Sequence, residues 1–213
     1  MRPRRLFIAG STGATGCVVT EAARARKIPV LPHVRPRSSA KALDADAVVF
    51  ELSDRAALVS ALRGCTTVLQ LIGTMRSRFA DGDTYETSDI GTTRQLVDAG
   101  KAAGIDHLLL LSSVGAGKPR GAYFHAKAEA ERLCRESGIP TTVFRPSFLD
   151  GPGRRASLWV KAIASPMGER WRVMPIRELS RAMLHVAVNR SHLEEVLEGR
   201  ALWDVVTQSK GPV

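Results

Sequence analysis

Aromatic residues are scarce in this chain of 213 residues, where Phe, Trp and Tyr together make up 5%. So few rings provide no stacking platform for single-stranded nucleic acid. Cysteine is rarer still: Cys17, Cys65 and Cys134 are far apart, odd in number and form no C-x-x-C pair. That pattern argues against a disulfide framework or a zinc knuckle, and the three read as buried, reduced thiols. The histidines are equally scattered, so no metal site is expected. Long apolar runs are missing too, and none approaches the roughly 20 residues needed to cross a bilayer. The basic start Met1-Arg2-Pro3-Arg4-Arg5 leads into an apolar stretch that stops at Gly10, too short for the core of a signal peptide. The expected location is cytoplasmic, with no membrane span.

Acidic residues are outnumbered, with 21 Asp and Glu against 31 Lys and Arg and a net charge of +10. Such a charge favours anionic partners, nucleotides and nucleic acid among them. The arginines are spread, however, with only small clusters at 2–5, 35–37, 76–78 and 154–155. No recognition helix accompanies them, and specific nucleic-acid binding is not expected. Hydrophobic residues at 44% and charged residues at 24% are the composition of a soluble globular protein. The length suits one domain with a full core. No repeat, low-complexity tract or linker interrupts it.

What the chain does have begins at Leu6, in the stretch LFIAGSTGATG. Leu6-Phe7-Ile8-Ala9 has the length of a buried strand. Gly10, Gly13 and Gly16 follow, and a helical pattern begins at Cys17. Strand, glycine turn and helix in that order form a diphosphate site. Gly10 permits the turn, Gly13 lets the backbone approach a ligand, and Gly16 lets helix pack on strand, while the helix N-terminus faces the anion. The spacing is G-x-x-G-x-x-G, not the commoner G-x-G-x-x-G.

The first helix is expected to end near Arg26-Lys27, with a second strand over Ile28–Val34. Pro32 is awkward inside it, since proline donates nothing to a ladder, and the strand is expected to lie to one side of it. Arg35-Pro36-Arg37-Ser38-Ser39 comes where that strand ends. An acidic residue there grips a ribose 2′-hydroxyl, whereas arginine accommodates a 2′-phosphate. No Asp or Glu occurs between Glu21 and Asp44, so Arg35 and Arg37 point to NADP(H) in preference to NAD(H). A solvated basic loop is the plainer alternative.

A third strand is expected over Ala47–Phe50, then a helix Arg55–Leu62 capped by Asp54 and stopped by Gly64. Thr66–Ile72 reads as the fourth strand, Met75–Asp83 as an irregular loop, and Thr84 to about Ala103 as one long helix stopped by Gly104. His107–Leu111 reads as the fifth strand. Apolar strands alternating with helices predict a parallel sheet covered on both faces. The expected fold class is α/β, a single doubly wound, Rossmann-like parallel sheet forming one domain over 1–213. A small C-terminal extension, 148–205, supplies the substrate side.

The fifth strand runs into Ser112-Ser113, at the carboxyl edge where open parallel sheets bind ligands. Tyr123-x-x-x-Lys127 then opens a helix, which puts both side chains on one face. A lysine ammonium beside the phenol favours its ionised form and is expected to lower its pKa. The hydroxyl can then protonate a carbonyl oxygen while a serine hydrogen-bonds the same oxygen. A surface pair in which the tyrosine packs on the lysine stem is the plainer alternative.

GSTGATG at 10–16, LLSS at 110–113, YFHAK at 123–127 and VFRPSFL at 143–149 together resemble the short-chain dehydrogenase/reductase superfamily. The likeness is to its atypical, NAD(P)H-binding or NmrA-like branch, and includes proteins related to the Tat-interacting oxidoreductase through Ile72-Gly73-Thr74-Met75-Arg76. It spans about residues 5 to 205. The resemblance implies cofactor contacts from Gly10, Ser11, Thr12, Gly13, Ala14, Thr15 and Gly16 to the diphosphate. It places Arg35 and Arg37 on the 2′-phosphate, Glu51 and Leu52 near the adenine, and Gly73 and Thr74 beside the ribose. Pro146, Ser147 and Phe148 would lie against the nicotinamide amide, and Lys127 on its ribose. It implies Ser113, Tyr123 and Lys127 as catalytic residues, and no metal. The sequence departs from the family in a short Ser113–Tyr123 loop, in Asp89 where asparagine is usual, and in Pro32.

Two functions follow. The first is an NADPH-dependent oxidoreductase acting on a carbonyl or quinone-like small molecule. The second is an NAD(P)H-binding redox sensor, regulator or assembly factor without turnover, with a protein partner. The substrate pocket is expected from Met75–Asp83 and Leu149–Trp171, where Phe148, Leu158, Trp159 and Trp171 supply apolar surface. A homodimer is common in relatives, and no pattern here decides it.

Overall fold

The computed structural model describes residues 5–41, 46–74, 79–80, 82–153, 157 and 168–210. Its frame is a seven-stranded sheet, parallel throughout, in the order β3-β2-β1-β4-β5-β6-β9. The strands are β1 (Leu6–Ala9), β2 (Val30–Val34), β3 (Val48–Val49), β4 (Thr67–Gln70), β5 (His107–Leu111), β6 (Thr141–Arg145) and β9 (Glu195–Glu198). The short strands β7 (Leu149–Asp150) and β8 (Met174–Pro175) pair with each other apart from it.

Alternate residues of each strand feed two separate cores. Leu6, Ile8, Leu69, Leu109 and Phe144 pack beneath α1 (Ala14–Ala25), α5 (Ile176–Asn189) and α6 (Arg200–Gln208). Phe7, Val68, Leu108, Leu110 and Val143 pack beneath α2 (Arg55–Leu62), α3 (Thr92–Ala103) and α4 (Ala122–Arg135). Both faces are covered, so the strands need no polar alternation, and β5 is apolar at every position after His107. Within 148–205, the segments α5 and β9 belong to this double-faced core, and β7 with β8 form a separate small sheet that adds Leu149 and Met174 to it.

Several elements differ from expectation for local reasons. The strand β2 runs straight through Pro32 instead of lying to one side of it. The Leu6 N–H donates to the Pro29 carbonyl, so residues 31 and 33 bond toward β1 and Pro32 faces the other way. On that side β3 begins pairing only at His33↔Val48, and the missing N–H breaks no ladder bond. The strand β3 is itself only two residues long. The helix α1 starts at Ala14, ahead of Cys17, with Gly13 as its N-cap.

The helix α2 has the expected bounds, and the Asp54 carboxylate accepts the Ala57 N–H at 3.0 Å. The long helix after Thr84 is two windings: a π-helical turn Tyr85–Gly91, then α3 ending at Gly104 in the left-handed conformation. Thr84 and Thr87 cap it reciprocally, each hydroxyl accepting the other's N–H. The wide winding turns Ser88 and Asp89 into the interior.

Candidate functional site

The chain leaves β1 toward β2 and β3 on one side and returns to β4, β5 and β6 on the other. That reversal opens a crevice at the carboxyl ends of β1 and β4, the usual ligand site of such sheets. Gly10, Thr12 and Gly13 line it with His33, Arg35, Ser38, Leu71, Ile72 and Gly73.

Its floor is the glycine turn. Gly10 has φ +88°, and a Cβ there would sit 3.1 Å from the Ile72 nitrogen. A Cβ on Gly16 would lie 2.0 Å from the Gly10 carbonyl oxygen, so only glycine lets the helix start this close to the turn. Gly13 and Thr12 remain accessible at the surface, whereas Thr15 and Gly16 are buried. No side chain caps α1, so the first-turn N–H groups are left to a ligand. Residues and backbone therefore fit a dinucleotide pyrophosphate. The Ser11 hydroxyl is turned away, donating to the His33 carbonyl at 2.7 Å and tying the turn to β2.

Beyond the turn, His33 is buried against Phe50, its Nε2 2.8 Å from the Phe50 carbonyl. Burial pushes its pKa down, the Phe50 contact opposes this, and Arg35 adds to the fall, so the ring is neutral at pH 7. Glu51 is exposed and Leu52 packs in the core, and neither lines the crevice.

Arg35 and Arg37 do converge, but on a carboxylate of the chain itself. Arg35 Nη1 donates to Asp83 Oδ1 at 2.8 Å, and Arg37 Nη2 donates to the same oxygen. Burial raises the Asp83 pKa, and the hydrogen bonds and charges of Arg35 and then Arg37 outweigh it, holding the carboxyl below its ordinary range. Sequence reasoning missed Asp83. It is 48 residues from Arg35, and no spacing rule connects them.

At the ends of β4 and β5 the second group of side chains gathers. Lys127 Nζ lies 2.7 Å from Asp89 Oδ1, both residues buried, and 3.4 Å from the Leu111 carbonyl. Asp89 Oδ2 accepts the Thr74 N–H at 3.0 Å. A Cβ on Gly73 would be 2.9 Å from Lys127 Nζ, so glycine lets the backbone after β4 approach the ammonium. Tyr123 is half-buried, its ring centroid 5.9 Å from Lys127 Nζ and 5.7 Å from Tyr85, which meets Phe79 edge-on in turn.

The two serines diverge. Ser112 is buried and donates to Glu131 at 2.5 Å, while Ser113 is half-exposed beside Val114. Glu131 also takes two bonds from Arg145, the last residue of β6. Burial raises the Glu131 pKa, but the bonds from Arg145 and Ser112 prevail and lower it.

Pro146 follows, its carbonyl accepting the Val114 N–H at 2.9 Å, then Ser147, bonded to the Arg172 carbonyl, and the exposed Phe148. Of the expected substrate pocket, Trp171 carries the Arg170 guanidinium 5.8 Å above its ring. Leu158, Trp159, Met75 and Arg76 lie outside the described residues. Among the described residues no cluster of His, Cys, Asp and Glu could hold a metal ion, and no helix is long and apolar enough to cross a membrane.

A family model described as NAD(P)H-binding matches residues 10–168, from the first glycine through the crevice and the Tyr-Lys helix. The chain belongs to the NAD(P)H-binding family. A 3-diazoavenalumate denitrifying reductase from a Streptomyces species is 32% identical over 174 residues, 70% of this chain and 57% of that protein. Sterol demethylase protein B from Methylococcus capsulatus is 29% identical over 171 residues, 68% and 52% of the two chains. This NAD(P)H-binding chain thus spans about half the length of the curated relatives it matches.

Solved structures agree on the fold. A short-chain dehydrogenase/reductase superfamily protein from Agrobacterium tumefaciens with bound NAD superposes with a TM-score of 0.72 at 20% identity, covering 92% of this chain and 77% of its own. A UDP-glucuronic acid 4-epimerase from Bacillus cereus, in complex with UDP-glucuronic acid and NAD, gives 0.68 at 18% identity, with coverage of 92% and 77%. The family makes the cofactor class a nicotinamide dinucleotide, and the solved structures share the Rossmann-like fold.

Proposed function

We propose that this chain is an NADPH-dependent oxidoreductase acting on a carbonyl or quinone-like small molecule. The observation that carries the reading is the shared edge. Gly73 links the glycine-turn crevice to Lys127, and Lys127 sits one helical turn from Tyr123. The Streptomyces relative is itself named a reductase.

In this reading Gly10, Thr12, Gly13 and the start of α1 hold the pyrophosphate. Gly73 and Thr74 flank the ribose, and Pro146, Ser147 and Phe148 face the nicotinamide amide. Arg35 and Arg37 recognise the 2′-phosphate. The bound dinucleotide supplies the hydride. Ser113 hydrogen-bonds the acceptor oxygen and Tyr123 gives it a proton from its hydroxyl. Lys127 holds the ribose hydroxyls and the phenol in register, and Asp89 fixes Lys127.

The test is turnover of NADPH against a panel of carbonyls and quinones, followed by Tyr123→Phe. Loss of at least about a hundredfold in kcat with cofactor affinity retained is the expected result for a proton donor. Unchanged turnover overturns the assignment.

One observation favours a second reading, a dinucleotide-binding regulator without turnover. Asp89 pairs directly with Lys127, which offsets the positive charge that a proton-donating tyrosine needs beside it. Tight NADPH binding, no turnover on any acceptor and recovery of a protein partner would decide for it.

A further inference from the structure

Asp83 occupies the position of an anion. Its carboxylate receives Arg35 at 2.8 Å and 3.5 Å, Arg37 through Nη2, and the Ser88 hydroxyl at 3.4 Å. The side chain is 4% exposed, and its backbone carbonyl accepts the Thr74 hydroxyl at 2.9 Å, so the carboxylate is built in rather than draped over the surface. Arg35 also lines the crevice beside Gly10 and Gly13. Arg37 is 44% exposed, against 23% for Arg35.

A guanidinium satisfies a carboxylate and a phosphate with the same fork of donors, so one anion displaces the other. Among the described residues, two guanidiniums and one carboxylate leave this corner with one net positive charge. A 2′-phosphate brings close to two negative charges next to the Asp83 oxygens. A 2′-hydroxyl brings none.

We propose that Asp83 is a specificity-determining residue that competes with the cofactor 2′-phosphate for Arg35 and Arg37, narrowing the preference for NADP(H) over NAD(H). The assignment rests on the 2′-phosphate reading of those two arginines. It adds a resident competitor to the site, contributed by the segment after β4 and not by the end of β2. When NADP(H) binds, the two guanidiniums transfer to the phosphate and Asp83 gives up those two partners. When NAD(H) binds, Asp83 keeps them.

The experiment is calorimetric titration of the full chain with NADP+ and NAD+, for wild type, Asp83→Asn and Arg35→Ala. Asparagine keeps the shape and the Thr74 bond to the backbone but removes the charge. Asp83→Asn is expected to tighten NADP+ about tenfold, which is about 1.4 kcal/mol, and to change NAD+ less than about twofold. NADP+ affinity that stays the same or falls, or equal gains for both cofactors, overturns the proposal.

Arg35→Ala separates the two ideas. If it weakens NADP+ alone while Asp83→Asn changes nothing, the competitor fails and the 2′-phosphate reading stands. If it weakens both cofactors equally or neither, that reading fails as well. Should Asp83→Asn not fold, amide exchange of wild type decides. Residues 82–88 are expected to exchange faster in the NADP+ complex than in the NAD+ complex, and identical exchange overturns the competition.

Discussion

Carboxylates hold cations in place around this sheet edge: Asp83 takes Arg35 and Arg37, Asp89 takes Lys127, and Glu131 takes Arg145. Each carboxylate is almost fully buried, so removing a cation leaves a desolvated charge behind, which costs several kcal/mol in comparable cases. The pairs set where the loops after β2, β4 and β5 can go. At the opposite end of the sheet His107 is fully buried, with Nε2 2.8 Å from the Thr142 hydroxyl and Nδ1 without a partner among the described residues. Burial and then the charge of Arg190 push its pKa down to about 4. Below pH 6.5 the unfolded chain takes up a proton that the folded chain refuses, so stability from this residue is full above 6.5 and lost as pH falls toward 4. At pH 4.5 the loss is on the order of 2–3 kcal/mol. Urea unfolding at pH 7 and 4.5 checks it: the drop should shrink by that amount in His107→Gln, and an equal drop refutes it.

At the scale of the element, the turn between β1 and α1 has the least tolerance. A Cβ on Gly16 collides with the Gly10 carbonyl at 2.0 Å. Gly16→Ala is therefore expected to lower the melting temperature and abolish dinucleotide binding, with destabilisation of about 1–3 kcal/mol. Retained binding would show that the helix start can retreat without spoiling the turn. The glycines, the first five strands and the Asp54 cap were legible because their signals are local: a φ, a run length, a hydroxyl or carboxylate three residues from an amide. Pro32 was misjudged because its cost depends on which neighbour its nitrogen faces, and that is a property of the register. The π-helical turn left no mark, since Tyr85–Ala103 has one continuous helical pattern, and the bonds of Asp89 to the Thr74 N–H and Lys127 are long-range.

The whole molecule joins two cores through one sheet, and the crevice at its switch point is shared by both. A dinucleotide bound there stabilises everything the sheet connects. Addition of NADP+ at about a hundred times its dissociation constant is expected to raise unfolding free energy by about 2.7 kcal/mol. Differential scanning fluorimetry should show the rise as a concentration-dependent melting temperature. A flat profile with NADP+ and NAD+ alike would show that neither engages the folded chain.

By itself the sequence determined the α/β class, the glycine turn, the helix holding Tyr123 and Lys127, and the edge on which they meet. Those features follow from periodicity, residue size and chain order, which act over a few residues at a time. Only tertiary structure decided what the charged groups hold. Asp83 reaches Arg35 and Arg37, Asp89 reaches Lys127 and Glu131 reaches Arg145 through space, because burial makes an unpaired charge intolerable and the nearest opposite charge answers it wherever it lies along the chain.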